Sequence, residues 1–516
     1  MTYSSFSFRK TPQNQPIPGK GMVKNNGGGY GFQIDKWQQL HRFLVIGSDT
    51  GTYYVNSVEL TKNNGLCVMA CLDENYKRTI DLIVEISQSG RAPKNDPALF
   101  ALAIAAGDKR EEVRKYALNN LYQVARTGTH LFQFLSFVKQ FRGWGRALKR
   151  AVNNWYFDKD FESLGYQIVK YRQRNGWTHR DVFRLTHPIP PEELGGIFQW
   201  VVRNEVHGQL PLAIEGYLMA KESSPNPRLI EKYGLTWEML PTEWLNDKEV
   251  WAALLPHMPI TALIRNLAKM TDIGLLQPFS SAVNTVIDKL NINAIKRGRV
   301  HPIAILNAVT IYSRGYGEKG NLVWKPVPQI TDRLNQLFYQ SFETVEPNYK
   351  RHLLAIDVSG SMEYEAISGM SLSAAQAATA MAMITAKVEP NYYAMGFSNV
   401  FKPLDISPSR RLPDVMEDIY ANTFGSTNCA LPMTWALENK VPVDVFIIYT
   451  DNETNYGDIH PCQAIREYRE KMGINAKLFV VGMTATDISI ADPEDPGMLD
   501  VVGFDSNTPS VISQFV

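Results

Sequence analysis

Cysteine is scarce in this chain of 516 residues: Cys67, Cys71, Cys429 and Cys462 are the only four. Four scattered thiols make no disulfide framework, and a chain long enough to bury a large core needs none. Cys67 and Cys71 lie one helical turn apart with no second Cys pair or paired histidines, so they read as reduced core thiols rather than a zinc site. Long apolar runs are also missing, since none reaches the roughly 18–20 residues of a membrane span. No secretory leader opens the sequence. These absences point to a cytoplasmic protein without a membrane partner. No G-x-x-x-x-G-K-[ST] loop occurs, which argues against a P-loop ATPase.

Net charge is small too, at +1, but the balance conceals a division. Residues 350–516 carry 11 Lys+Arg against 21 Asp+Glu, a net −10, which leaves +11 on residues 1–349. An acidic module joined to a basic one implies two different kinds of partner. The basic part suits a polyanion, because Lys and Arg gain affinity by releasing counterions from phosphates. With 44% hydrophobic and 20% charged residues the bulk of the chain is ordinary globular protein, long enough for more than one domain.

Helical spacing of apolar residues dominates from about Asn95 to Phe342, as in Pro97–Ala106, Glu111–Val124, His130–Phe141 and Trp144–Trp155. Many helices joined by short polar turns predict an α-solenoid of degenerate paired repeats. The polar stretch before Tyr30, with Gly27-Gly28-Gly29, reads as a flexible tail over 1–30, and Tyr30–Asp35 as a strand. The helical domain is expected over 31–345. Past it the pattern changes: Leu353–Ile356, Tyr392–Phe397, Val443–Thr450, Leu478–Val481 and Val501–Phe504 are strand-like, with helices such as Leu372–Lys387 between them. Alternating strands and helices over 346–516 predict a doubly wound, mostly parallel sheet.

Asp357-Val-Ser359-Gly-Ser361 stands at the end of the first of these strands. One carboxylate and two hydroxyls on a tight loop are hard oxygen donors of the kind Mg²⁺ takes. Thr427 lies on a second loop and Asp451 ends the Val443–Thr450 strand. Loops at the carboxyl ends of strands are where an open α/β sheet carries its ligand site. The arrangement resembles the metal-ion-dependent adhesion site of von Willebrand factor A domains. That resemblance implies Mg²⁺, or another divalent cation, held by Asp357, Ser359, Ser361, Thr427 and Asp451, with one position left for an acidic protein ligand. A metal-dependent nuclease using Asp357, Asp451 and Glu453 is a competing reading, weakened because hydroxyl-rich ligation supplies little charge for two metals. His460, before Pro461, reads as a surface residue.

Two basic-aromatic stretches mark the other half. Arg142-Gly-Trp144-Gly-Arg146-Ala-Leu-Lys149-Arg150 sets Arg146, Lys149 and Arg150 on one helical turn, and Lys170-Tyr-Arg172-Gln173-Arg174-Asn-Gly-Trp177 mixes cations, amides and rings. Arginine forks suit phosphates, and aromatic rings can stack on unpaired bases. From Leu40-His-Arg-Phe-Leu through Trp144-Gly-Arg-Ala-Leu, Met258-Pro-Ile-Thr-Ala-Leu and Thr344-Val-Glu-Pro to Thr450-Asp-Asn-Glu-Thr454, the chain resembles the Ro autoantigen family of TROVE-domain proteins. The resemblance implies a closed, monomeric ring of HEAT-like repeats joined to the A domain, with no catalytic activity. It implies Y-like RNA on the outside of the ring, single-stranded 3′ ends of misfolded RNAs in its hole, and an exoribonuclease partner such as polynucleotide phosphorylase. Lys170, Arg172, Gln173, Arg174 and His187 are the RNA-binding residues it implies most directly. Arg142, Arg146, Lys149 and Arg150 are further candidates, and His130 and Lys269 could join them. Pro190–Asp247 is shorter than in animal members, as if a helical hairpin were trimmed. An adaptor that works only through the metal site of the A domain is the alternative function.

Overall fold

The computed structural model describes residues 10–516 except 49, 318–320, 343–345, 365–371, 408, 412–413, 416–417 and 419–424. Eleven strands are assigned among these: β1 (Met22–Lys24), β2 (Tyr30–Gln33), β3 (Gln173–Arg174), β4 (Trp177–Thr178), β5 (His352–Asp357), β6 (Tyr392–Phe397), β7 (Phe401–Pro403), β8 (Val445–Thr450), β9 (Lys477–Gly482), β10 (Ile488–Ser489) and β11 (Met498–Val502). Six of them form the C-terminal sheet in the order β11-β9-β8-β5-β6-β7, parallel throughout except for the antiparallel edge strand β7. β5 and β8 are buried at every position, as strands covered on both faces must be. The last strand begins three residues before the apolar run Val501–Phe504 that marked it in the sequence.

Strand alternation splits this sheet between two cores. Leu354, Ile356, Ile447, Tyr449, Phe479 and Val481 face inward to a core continuous with the helical repeats. Leu353, Ala355, Phe446, Ile448, Leu478 and Val480 face a second, smaller core. The helical part and one side of the sheet therefore share apolar packing rather than hanging on a linker.

From Asp96 onward the helical part follows the spacing read in the sequence, and two further helices precede it within residues 31–345. Lys36–Ile46 is a helix capped by Asp35. Ser57–Ser89 is a helix of 33 residues broken at Asn75 (φ −154°, ψ 90°), where the Asn75 side chain accepts from the Arg78 amide and restarts the second half. At its end Gly90, in the left-handed region (φ +75°), packs against Arg299, so the start of the array touches its far end.

The flexible tail expected over 1–30 is not found from Lys10 onward. Gln13 is fully buried, β1 and β2 form a hairpin, and β2 pairs antiparallel with β10 (Phe32 opposite Ser489). The segment lacks apolar periodicity because it is held by hydrogen bonds to the C-terminal domain rather than by a core of its own.

Buried charge ties the first helix to the same domain. The Arg42 side chain is completely buried, donating to the Thr486 and Ile488 carbonyls (3.0 and 2.9 Å) and to Asp500 (2.5 Å). Nearby, Asp505 accepts from Arg91 (2.5 Å) and meets His41 (2.9 Å), while His301 contacts the Phe504 carbonyl (2.7 Å). Removing one partner of a buried pair strands the other. Arg42→Met is expected to cost about 3–5 kcal/mol, read as a lowered melting temperature. Arg411→Ala, which breaks an ion pair with Asp332 that is more than half exposed on both sides, should cost under about 1 kcal/mol.

Candidate metal centre and nucleic-acid interface

Asp357 is the last residue of β5, the strand from which the chain turns to β6 on one side and, after β7, to β8 on the other. This is the topological switch point of the sheet, and it opens the crevice where such folds bind ligands. Ser359 and Ser361 follow in the first loop, 3.1 Å apart at their hydroxyls, and the Ser359 amide donates to Asp357 (3.0 Å). Thr427 stands on the loop before the helix Leu431–Glu438, and Asp451 follows β8. All five residues are buried.

The second and third loops are laced together by Asn455. Its side chain accepts from the Thr427 amide (3.1 Å) while its own amide donates to the Thr427 carbonyl (3.0 Å). Asp357 also accepts from Thr450 (2.7 Å), which fixes its carboxylate across the strand pair. Burial, then the neighbouring Asp451 charge, pushes Asp357 up to about 7. Burial raises Asp451 as well. One carboxylate oxygen of Asp451, Oδ2, is buried with no hydrogen-bond partner. Among the described residues no three His, Cys, Asp or Glu side chains are grouped to hold a metal ion. The donor set is instead two carboxylates and three hydroxyls, all oxygen. Closely set carboxylates with an orphaned oxygen fit a hard divalent cation and leave a standing repulsion without one.

Glu453 is equally buried, raised to about 7 by burial and then by Asp451, and its two oxygens are taken by Asn26 and the Gly27 amide. It is thus tied up rather than free to act as a base. His460 is not the surface residue its place before Pro461 suggested: it is buried, caps the helix Pro461–Met472, and contacts the Gln15 carbonyl (2.7 Å).

The two basic stretches converge in space. Trp144 and Trp177 meet edge to face with centroids 6.0 Å apart, and Trp177 donates to Ser136 (3.1 Å). β3 and β4 form a short hairpin whose turn residues Asn175 and Gly176 have φ of +53° and +75°, the signature of a tight two-residue turn. Gln173 and Arg174 ride on it exposed, the Arg174 guanidinium donating to the Gln173 carbonyl (2.9 Å), and exposed Arg180 and Arg184 follow one turn apart on the next helix. Arg146 and Arg150 are exposed and Lys149 half-buried on the helix Arg146–Phe157. His187 is exposed at the left-handed C-cap of the helix His179–Thr186.

Other candidates have packing roles. Lys170 donates to Tyr166 (2.9 Å) and lies over the Tyr166 and Tyr171 rings. Arg172 sits 4.6 Å over the Tyr217 ring and bonds its hydroxyl, yet remains exposed at its edge. Arg142 is half-buried and donates to the Ala106 carbonyl (2.8 Å). His130 is held neutral, lowered to about 4 by burial and then by Arg126. Lys269 faces Asn246 and Asp272.

A cationic cleft that the sequence did not reveal lies where the array meets its own far end. About 460 Å³ in volume, it is lined by Lys94, Arg265, Arg299 and His301 among others. Beside it Arg126, bonded to the Ser87 hydroxyl (2.7 Å), is lowered to about 10 by burial and then by Arg299. Its members come from distant parts of the chain, so no local motif announces them.

The carboxylate repulsion has a measurable sign. A carboxyl whose folded value lies near 7 rather than the usual ~3.9 is a cost to the folded state when ionised, and that cost disappears as pH falls through 7. In chelator at pH 8, Asp451→Asn is therefore expected to melt higher than the parent, by on the order of 1–2 kcal/mol. The difference should shrink towards pH 5, as followed by calorimetry.

Comparison with known proteins agrees with this geometry over nearly the whole length. Residues 351–516 match the Ro60 vWA domain, and residues 23–207 and 228–312 match the TROVE domain. The chain is 39% identical over 518 residues to the RNA-binding protein RO60 of Deinococcus radiodurans, covering 98% of this chain and 97% of that one. It is 34% identical over 595 residues to the RNA-binding protein RO60 of Caenorhabditis elegans, covering 99% and 92%. The crystal structure of the Deinococcus radiodurans RO (RSR) protein superposes with a TM-score of 0.69 at 37% identity, over 93% of this chain and 99% of that one.

Proposed function

Since the chain belongs to the Ro60 family of TROVE-domain RNA-binding proteins, we propose that its exposed basic hairpin and its inner cationic cleft serve two different parts of an RNA. Membership of that family supports an RNA-binding scaffold rather than a catalyst. The outer partner is a small structured, Y-like RNA, bound by Arg174, Gln173, Arg180, Arg184 and His187, with Arg146 and Arg150 on the adjoining helix. The observation that carries this reading is the cluster of exposed guanidiniums around a rigid turn, backed by a Trp pair. Phosphates are met by cations that need no rearrangement.

The inner partner is the single-stranded 3′ end of a misfolded RNA, taken into the cleft of Lys94, Arg265 and Arg299, with Arg126 beside it. Contact between Gly90 and Arg299 supports an array closed into a ring, so that the cleft faces a central hole. An array that closes on itself needs no second copy, in keeping with a monomer. An exoribonuclease such as polynucleotide phosphorylase is the partner that would use a captured 3′ end, in the cytoplasm. Mg²⁺, or another divalent cation, would be held by Asp357, Ser359, Ser361, Thr427 and Asp451 and would supply the countercharge that the buried carboxylates lack.

Fluorescence anisotropy with a hairpin RNA bearing a single-stranded 3′ tail, across salt concentrations, tests the reading. Arg174→Ala with Arg180→Ala should weaken binding of tailed and blunt hairpins alike and shallow the salt slope by about 0.7–0.9 per lost contact. Arg126→Gln should instead weaken the tailed RNA selectively. Affinity indifferent to tail, salt and all three arginines would sink the proposal and favour an adaptor that works through the C-terminal domain.

A further inference from the structure

The face on which the metal loops open is covered by the chain itself. Asn25–Gly29 forms a self-closed turn, the Asn25 amide donating to the Gly29 carbonyl (2.9 Å) and the Gly29 amide to the Asn25 side chain (2.6 Å). That turn grips the third metal loop. Asn25 donates to the Thr454 carbonyl (2.6 Å), and Asn26 and the Gly27 amide each donate to Glu453 (2.8 Å). Asn455, the residue that laces the second loop to the third, donates to the Gly27 carbonyl (3.3 Å). Gln13 adds a bond to Asn428 (2.6 Å), beside Thr427.

The approach is close enough to require glycine. A Cβ on Gly29 would fall 1.9 Å from the Thr454 carbonyl oxygen. One on Gly27 would fall 3.0 Å from the Glu453 carbonyl oxygen and 3.4 Å from the Tyr54 phenol. Tyr54 is half-buried on the loop that leads into the helix Ser57–Ser89, so the helical part reaches the same place. Its phenol lies against the turn at Gly27, and burial, then the charges of Asp451, Glu453 and Asp357, push it up to about 12.

We propose that the metal face is engaged in cis: the occupant of that face is the chain's own Asn25–Gly29 turn together with Tyr54, and cation binding locks both onto the C-terminal domain. This rests on the reading of the five oxygen ligands as a cation site. A cation that fixes the second and third loops also fixes Glu453, Thr454 and Asn455, the three residues that hold the turn. An acidic segment of another protein, the ligand that the resemblance implies, would have to displace Tyr54 and the turn to reach the site.

Hydrogen exchange of the full chain, in chelator and with Mn²⁺, combined with water-proton relaxation of the bound Mn²⁺, decides the matter. Calorimetry first establishes whether Mn²⁺ binds and whether Asp451→Asn abolishes it. With metal bound, amides of residues 22–33 and 50–56 are expected to exchange about tenfold more slowly, while those of the helices Ile260–Asp272 and Pro302–Arg314 stay unchanged. Tyr54→Ala and Gly29→Val, each checked for an intact melting transition, should keep Mn²⁺ binding, lose the protection, and raise relaxation per bound ion as solvent reaches it. Metal binding with unchanged exchange, or with relaxation in both variants equal to the parent's, overturns the proposal while leaving the metal site standing. No binding of Mn²⁺ removes the metal site and the proposal together.

Discussion

Arg42 is the interaction on which the rest of the architecture leans. A guanidinium on the first helix is wholly buried in the C-terminal domain, against Asp500 and two backbone carbonyls more than 440 positions away. Gly482 leaves room for it, since a Cβ there would lie 2.8 Å from the guanidinium. Buried ion pairs contribute little net stability, but they penalise every arrangement in which they are not made. Here the penalty selects one docking of helices on sheet, and Arg91 with Asp505 repeats it close by. Because the first helix, the β2–β10 pairing and the His301–Phe504 contact all converge on one domain, the two ends of the helical array are brought to the same support. Contact between Gly90 and Arg299 follows from that convergence.

Charge is divided along the same line. The acidic C-terminal domain repels a phosphate backbone and the basic helical part attracts it, so the net field favours a polyanion on the helical side. Docking through buried ion pairs adds no free positive charge at the junction, because Arg42 and Arg91 are neutralised by Asp500 and Asp505. Arg174, Arg180 and Arg184, all exposed, lie on the helical part, away from that junction's ion pairs.

Sheet and oxygen site were legible because their signals are local. β5 and β8 are unbroken apolar runs, and each metal-site loop begins where such a run ends or a helix is about to start. The basic hairpin was legible as a segment but not residue by residue. Cation spacing does not tell Arg174, exposed beside a turn and bonded only locally to the Gln173 carbonyl, from Arg172, which lies on Tyr217, or from Arg142, which holds the Ala106 carbonyl. Two readings failed, and one pair went unnoticed, for want of a partner in view. The stretch before Tyr30 has no apolar pattern because its order comes from Glu453, Thr454 and Asn455. His460 looked like a surface residue until Gln15 returned to cover it. Arg126 and Arg299 are unremarkable in sequence and become a like-charged pair only because the fold brings distant parts of the chain together.

Ser57–Ser89 joins two places where like charges are held at close quarters. At roughly 1.5 Å per residue its 33 residues reach on the order of 50 Å, less what the break at Asn75 removes. Its first turn follows Tyr54, beside Asp357, Asp451 and Glu453; its last turn carries Ser87, which bonds Arg126 next to Arg299. Crowded carboxylates cost the fold less with a cation among them, and crowded guanidiniums cost less with a phosphate. Both penalties are borne by the one polypeptide, and a sequence under pressure for stability alone would have replaced either cluster with neutral residues at little loss of packing. The two clusters have opposite demands, yet the shared core and the Arg42 clasp hold them at a fixed separation. That is the arrangement a scaffold needs: the carboxylate cluster and the guanidinium cluster are kept apart rather than collapsing onto one another.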